Sequence, residues 1–454
     1  PDLPSRAGAR RRAGRALKAH AGVGVAEPAA RAEPGDALPR FLARLGHALI
    51  ATGEVVAVAE DLLRRIARAH GVPDFNVVAL PTVLFVKLDD GDAARVDFTS
   101  EEGVAPTFAQ IDRVFALARD AEALAVTPAE GLARLDAIMA TRPRFGAVAG
   151  VAGHALMTVG IALVLKPSLA IVAPAAVFGA VVGVLKAFAH NRGMLQTLLP
   201  TLAAFVVAAL ALLAVGHGMD VSPLRVVIAA LVTFLPGGVL AIATMDLAYA
   251  DVVSGASRFV TGIVQLLFLV LGMTIAASLV GLPAEQLLAV PRPEQLAPWA
   301  VWLGVAAFGV GTLLHYDAAP RALPWMLVVL AAGTAAQLAG NAALGGYLGG
   351  FVGAMVVTPI AYLIQYRLSG PAAMVTFVPA LWLLVPGSLG LIGMTELASD
   401  NPLAGVENFT TTLFSIVAIA LGSLVGSGVY NLLFDPIFRS AGSVAESVRR
   451  RFGR

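Results

Sequence analysis

Hydrophobic residues from Pro39 to His70 recur at helical spacing, at Phe41, Leu42, Leu45, Leu49, Val56, Leu62, Leu63 and Ile66. Gly71-Val72-Pro73 ends the pattern, so one amphipathic helix is predicted there. Three short runs rich in Val, Phe and Leu follow: Phe75–Leu80, Thr82–Leu88 and Arg95–Thr99. Pro81 and Asp89-Asp90-Gly91-Asp92 separate them, which predicts strands, the last two as a hairpin. Further helices are expected over Thr107–Ala121 and Thr127–Ala140. Thr127-Pro128-Ala129-Glu130 is a helix start, with Thr as N-cap, Pro at the first position and Glu at the third. Residues 37–145 therefore predict a small soluble α/β domain.

Beyond Gly146 the pattern becomes long apolar runs. Ten segments of spanning length can be drawn. The first five are Ala147–Leu165, Leu169–Ala189, Leu195–Val215, Leu224–Met245 and Phe259–Val280. The second five are Trp299–Leu314, Trp325–Ala339, Leu344–Ile364, Ala372–Met394 and Phe409–Leu432. The fold class expected is a polytopic α-helical membrane protein with a small soluble N-terminal α/β domain.

The ten segments factor into two fives. Pro236-Gly237, an apolar run and Asp246-Leu247 recur as Pro386-Gly387, an apolar run and Glu396-Leu397, 150 residues later. Leu271-Gly272 and Leu421-Gly422 keep that offset. Residues 146–282 and 298–434 are the expected repeats. An odd number of helices per copy forces opposite orientations, so an inverted 5+5 repeat is predicted. That architecture recurs in secondary transporters, with substrate bound at the repeat interface near mid-membrane.

Charge sharpens this picture. The 454 residues are 58% hydrophobic and 14% charged, whereas soluble domains carry about 25% charged residues. Only 19 of the 62 charged residues fall between Gly146 and Ser440. With the N-terminal domain cytoplasmic, the inside ends hold Arg142, Arg144, Lys186, Arg192, Arg258, Arg321, Arg367 and Arg439. The outside ends hold Lys166, Arg225 and Arg292 among Asp220, Glu396, Asp400 and Glu407. This asymmetry predicts an inner-membrane, multi-pass protein with both termini cytoplasmic. Residues 1–36, with Arg10, Arg11, Arg12 and Arg15 and no apolar core behind them, are expected to be a disordered basic tail. Residues 435–454 are expected to be a basic cytoplasmic tail. Membrane topology accounts for the basic residues, so no nucleic-acid partner is implied. The absence of cysteine excludes disulfides and thiol catalysis.

Candidate chemistry concentrates at the Pro-Gly pairs. Pro removes a backbone donor and clashes with the preceding turn, so the fourth and ninth segments should kink or break. Broken backbone in a membrane must be buried in protein or line a cavity. Half-helices starting there would offer the N–H groups of Gly237, Gly238, Gly387 and Ser388, after Pro236 and Pro386, to a substrate carboxylate. Gln337 and Asn341 are added as substrate-binding candidates; Asp246, Glu396 and His154 are candidates for proton coupling. A plain structural kink and ordinary helix-end capping are the competing readings. Gly345, Gly349 and Gly353 predict close helix packing. In the N-terminal domain Glu54, Glu60, Asp61, His47 and His70 are available, yet no phosphate loop, metal motif or nucleophile elbow accompanies them. No enzyme activity, metal or cofactor is expected; a regulatory or coupling role suits that domain.

The chain resembles the threonine/serine exporter family over roughly Leu38 to Leu433. The resemblance rests on Leu45-Gly46-His47-Ala48-Leu49-Ile50-Ala51-Thr52-Gly53-Glu54, Glu60 ahead of Leu62-Leu63, and Leu80-Pro81-Thr82. In the membrane part it rests on Phe234-Leu235-Pro236-Gly237, Asp246-Leu247, Ser254-Gly255 and Val385-Pro386-Gly387. It implies export of threonine and serine from the cytoplasm, driven by the proton motive force. Split relatives resemble succinate exporters, so a dicarboxylate is the alternative substrate. A membrane-bound hydrolase is the reading from another class. Homo-oligomerisation is left open.

Overall fold

The computed structural model describes residues 37–80, 83–89, 94–99, 105–165, 168–190, 192–218, 223–281, 287, 296–345, 348–384, 387–397 and 402–434. Both expected terminal tails, Pro81, Lys166, Asp220, Arg292, Pro386, Asp400 and Arg439 lie outside these residues.

The helix expected over residues 39–70 is two helices, α1 (Ala37–Ala51) and α2 (Val56–Ala69). Gly53 separates them with φ +88°, a left-handed conformation that glycine adopts without a Cβ penalty. Strands β1 (Phe75–Ala79), β2 (Leu84–Asp89) and β3 (Ala94–Thr99) form an antiparallel meander in that order, so β1 and β2 also pair as neighbours. Helices α3 (Phe108–Glu122) and α4 (Pro128–Met139) follow. Each opens with a capping box, Thr107 with Gln110 and Thr127 with Glu130. Phe41, Leu45, Leu49, Leu63, Ile66 and Leu84 form the core of this N-terminal unit. A Cβ on Gly131 would stand 2.5 Å from the Phe41 ring, so α4 lies directly on α1.

The remainder is helical: α5 (Ala147–Leu165), α6 (Leu169–Ala189), α7 (Gly193–Gly216), α8 (Pro223–Ala230), α9 (Gly237–Ala248) and α10 (Val252–Val280). Then come α11 (Ala300–His315), α12 (Leu323–Leu344), α13 (Leu348–Tyr366), α14 (Ala373–Leu384), α15 (Gly387–Leu397) and α16 (Pro402–Phe434). Among the described residues, seven helices are long and apolar enough to cross a membrane. An eighth span results if α8 and the helix beyond it, bent by 60°, count as one. Helices α11 and α14 are apolar but shorter.

Glycine sets the central crossing. A Cβ on Gly160 would stand 2.6 Å from the Phe308 amide nitrogen, and one on Gly153 2.8 Å from the Gly311 carbonyl. Early residues of α5 thus meet late residues of α11, so the two helices run antiparallel at backbone contact. Other contacts recur 150 residues apart. Gly272 of α10 abuts the Thr201 carbonyl of α7, and Gly422 of α16 abuts the Phe351 carbonyl of α13. Gly255 faces the Ala243 carbonyl as Gly405 faces the Gly393 carbonyl, each at 2.9 Å from a built Cβ.

The N-terminal unit sits on one end of the bundle. Phe108 donates its amide to the Tyr316 carbonyl (2.9 Å) and Ala109 to that of Asp317 (3.1 Å). Ser254 donates its hydroxyl to the Ala79 carbonyl at 3.3 Å.

Overpacking a tight contact costs about 1–3 kcal/mol. Gly160→Leu and Gly153→Leu should therefore lower the unfolding temperature of the detergent-solubilised protein by several degrees. Val148→Leu, on the same helix but 85% exposed, should not. Equal unfolding temperatures for all three would refute the crossing described above.

Candidate functional site

The broken span is the centre of the site. Helix α8 stops at Ala230, residues Val232–Phe234 form a 3-10 turn, and α9 restarts at Gly237 with Pro236 as its cap. The carbonyls before such a break lose their helical donors. Gln265 of α10 supplies one, its amide nitrogen 2.7 Å from the Phe234 oxygen. The second half of the bundle repeats the solution: Gln337 of α12 donates to the Leu384 carbonyl at 3.2 Å. Phe234 and Leu384 each stand two residues before a Pro-Gly pair. Gln337 therefore has a defined task at the second break. Asn341 does not join it; its side chain lies against Gly349.

A polar cluster closes around the first break. His154 of α5, fully buried, has Nδ1 2.9 Å from the Gly179 carbonyl and Nε2 3.1 Å from the Thr233 hydroxyl. His315 of α11 has Nδ1 2.9 Å from the Gly150 carbonyl and Nε2 2.8 Å from Lys186 Nζ. A carbonyl can only accept, so each Nδ1 is assigned the proton, and the ammonium, which can only donate, makes His315 Nε2 an acceptor. Lys186 of α6 donates to that acceptor. Its ammonium also stands 5.4 Å from the centre of the Phe234 ring and 5.6 Å from that of Tyr316, within cation–π range. Tyr316 stacks with Phe108 at 5.0 Å and meets Trp382 of α14 at 5.0 Å. The Trp382 indole nitrogen would lie 3.2 Å from a Cβ on Gly238. An ammonium, two imidazoles and an aromatic wall thus converge on the restart of α9. They come from helices on both sides of the antiparallel α5–α11 crossing.

Two carboxylates pin the N-terminal unit reciprocally. Asp246, fully buried at the end of α9, accepts the Val56 amide that opens α2 (3.0 Å) and pairs with Arg258 (2.6 Å). Asp112 of α3 accepts the Ala372 amide just ahead of α14 (2.9 Å) and pairs with Arg321 (2.6 Å). A carboxylate suits a helix start because the amides there lack partners and the dipole is positive. Glu396 stands 150 residues after Asp246, and Asn408 donates to it at 2.6 Å, where Arg258 would be by the same offset.

The turn between α1 and α2 carries Glu54 into the bundle. Arg258 donates to its backbone carbonyl at 3.3 Å. The side chain lines a cavity of about 40 Å³ with Met245, Tyr249, Tyr362 and Ser427. Ser423 also lines it, and its buried hydroxyl has no hydrogen-bond partner among the described residues. Burial pushes the Glu54 carboxyl up to about 7 from the usual 4.5. The Val55 amide and Arg258 oppose that rise, and Asp246 adds to it. Glu60, by contrast, is structural: buried on α2, it accepts the Ala79 amide at 3.1 Å and pairs with Arg64.

Sequence reasoning found the break and His154 but did not single out Lys186, His315, Tyr316 and Trp382 as a site. Pro386 lies outside the described residues, and Gly387 and Ser388 open α15.

No curated protein and no solved structure matches the chain. Residues 40–280, more than half of it, match the family model ThrE, described as "Putative threonine/serine exporter". That stretch contains the N-terminal unit, the broken span and the Asp246–Arg258 pair, and with the apolar helices it makes the chain a membrane protein of the threonine/serine exporter family.

Proposed function

We propose that this chain is a secondary transporter that exports threonine and serine from the cytoplasm by alternating access, driven by the proton motive force. The observation that carries the reading is Lys186, an ammonium at a broken membrane span, walled by helices from both halves of the bundle. A substrate carboxylate would be held by Lys186 and by the free amides after Pro236, Gly237 and Gly238. Tyr316 and Trp382 offer ring faces to the substrate ammonium. The second break, at Pro386, Gly387 and Ser388, with Gln337 and Asn341 on the neighbouring helix, is the counterpart in the other half. One ammonium matches an amino acid with one carboxylate better than a dicarboxylate with two.

The antiparallel α5–α11 crossing and the contacts that recur at 150 residues support ten spans built as two inverted repeats. The bent α8–α9 pair and the α14–α15 pair would each be one span. In this scheme the N-terminal unit covers the cytoplasmic mouth of an inner-membrane protein. Protons act at Asp246, Glu396 and His154. Protonating Asp246 would remove the ion pair with Arg258 and weaken the grip on α2, linking coupling to movement of the N-terminal unit.

Counterflow in proteoliposomes with labelled threonine, serine and succinate tests the substrate. Threonine and serine should exchange and succinate should not; the reverse would overturn the assignment. Hydrogen bonds to charged groups contribute about 1.5–3 kcal/mol, so Lys186→Met should lower counterflow roughly tenfold to a hundredfold. Asp246→Asn and Glu396→Gln should abolish proton-driven efflux while counterflow persists. Coupling unchanged in both variants would remove them from the mechanism.

Glu54 gives the docked unit a pH dependence. Its folded-state carboxyl sits near 7 against 4.5 when free, so folding favours the protonated form. Stability is fully present below 4.5 and falls as pH rises through 7. The unfolding temperature should drop between about pH 5 and pH 8, and Glu54→Gln should flatten that slope. An unchanged slope in Glu54→Gln would assign the dependence to another group.

A further inference from the structure

A crevice of about 610 Å³ lies between the N-terminal unit and the bundle, and none of the side chains of the Lys186 cluster lines it. Four arginines line it, Arg113, Arg142, Arg144 and Arg321, against two carboxylates, Asp112 and Asp317. Both carboxylates are already engaged. Asp112 holds Arg321 and the Ala372 amide; Asp317 accepts the Phe145 amide at 2.9 Å. Arg113 donates to the Thr141 hydroxyl at 3.1 Å. Arg142 and Arg144 are exposed and have no hydrogen bond or ion pair among the described residues. Two guanidinium forks thus stand unpaired at the wall of a concave site with a cationic surplus.

The place of the crevice narrows the ligand. Arg142 and Arg144 lie just ahead of α5, whose Val148 is 85% exposed in its first turn, as a lipid-facing residue of a membrane span should be. The crevice therefore opens where a span leaves the bilayer, at the depth of headgroup phosphates. Guanidinium forks match phosphate oxygens in bidentate geometry. Basic pockets beside membrane helices on the cytoplasmic side suit anionic headgroups.

We propose that this crevice binds a phosphate ester through Arg142 and Arg144, carried either by an anionic lipid or by a soluble phosphate compound. The ligand sits against the Asp112–Arg321 pair, which also holds the start of α14. Occupancy therefore braces the N-terminal unit on the bundle, and this does not depend on which substrate is exported.

The test uses the full chain in phosphatidylcholine nanodiscs, in nanodiscs with added phosphatidylglycerol, and in phosphatidylcholine nanodiscs with inorganic phosphate at matched ionic strength. Unfolding temperature and lipid retained after delipidation are read. Phosphatidylglycerol should raise the unfolding temperature and be retained; protection by inorganic phosphate as well would point to a soluble ester. At about 1 kcal/mol per basic residue near the surface, Arg142→Gln with Arg144→Gln should weaken binding roughly 30-fold. Arg68→Gln, an exposed charge elsewhere on the N-terminal unit, should leave it unchanged. Binding unaffected by the double substitution, equal loss in Arg68→Gln, or no protection by either anion would overturn the proposal.

Discussion

A bilayer offers no hydrogen bonds, so every carbonyl freed by a break inside a span must be given a donor by the protein. This constraint organises the bundle. The break ahead of α9 frees the Phe234 carbonyl, and Gln265 answers it; the Leu384 carbonyl is answered by Gln337. Each glutamine ties its own helix to a break, so α10 and α12 cannot shift without exposing a carbonyl. Among the described residues, no side chain caps the amides at the restart of α9. Phe234, Lys186, Tyr316 and Trp382 gather beside that restart, the Trp382 indole nitrogen 3.2 Å from a Cβ on Gly238. Satisfied acceptors beside unsatisfied donors make a place that favours an anion.

Backbone contact at glycine makes this geometry reachable. Gly153 and Gly160 bring α5 and α11 close enough for His154 and His315 to meet ring to ring at 4.9 Å. Larger residues would separate the helices and pull His315 away from Lys186. The N-terminal unit adds a second level of constraint through Asp246 and Asp112. Each carboxylate lies on one side of the interface and caps a helix start on the other. Removing the N-terminal unit would leave the buried Asp246 facing Arg258 alone and the start of α14 without its acceptor.

Much of this was legible in the sequence. Thr127-Pro128-Ala129-Glu130 marked the start of α4, and its capping box forms. Pro236-Gly237 marked a broken span: α8 stops at Ala230 and α9 restarts at Gly237. The same logic applied to Thr107 and Gln110 would have placed α3 as firmly. The single helix expected over residues 39–70 failed because apolar periodicity bridges a short interruption, although Gly53 at its centre was visible. Lys186 was hidden for a different reason. A lysine near the end of an apolar run reads as one that reaches for headgroups. Only the tertiary fold brings it to His315, 129 residues away. Glu54 likewise reads as a surface acid until the turn that carries it is seen inside the bundle. Local pattern reports spans and breaks; it cannot report which distant residues share a cluster.

The two ends of the bundle differ in one respect that bears on the proposed cycle. Asp246 is paired with Arg258 and covered by the N-terminal unit, whereas Glu396 accepts the amide of Asn408, which stands where an arginine stands in the first half. An ion pair that is broken in the low dielectric of a buried site leaves two uncompensated charges. Opening the end with the N-terminal unit is therefore costly unless a proton first neutralises Asp246. Such asymmetry cannot set the direction of transport, since that belongs to the gradients. It sets which opening waits for a proton, and under the proposed export cycle that is the opening to the cytoplasm, from which substrate must load.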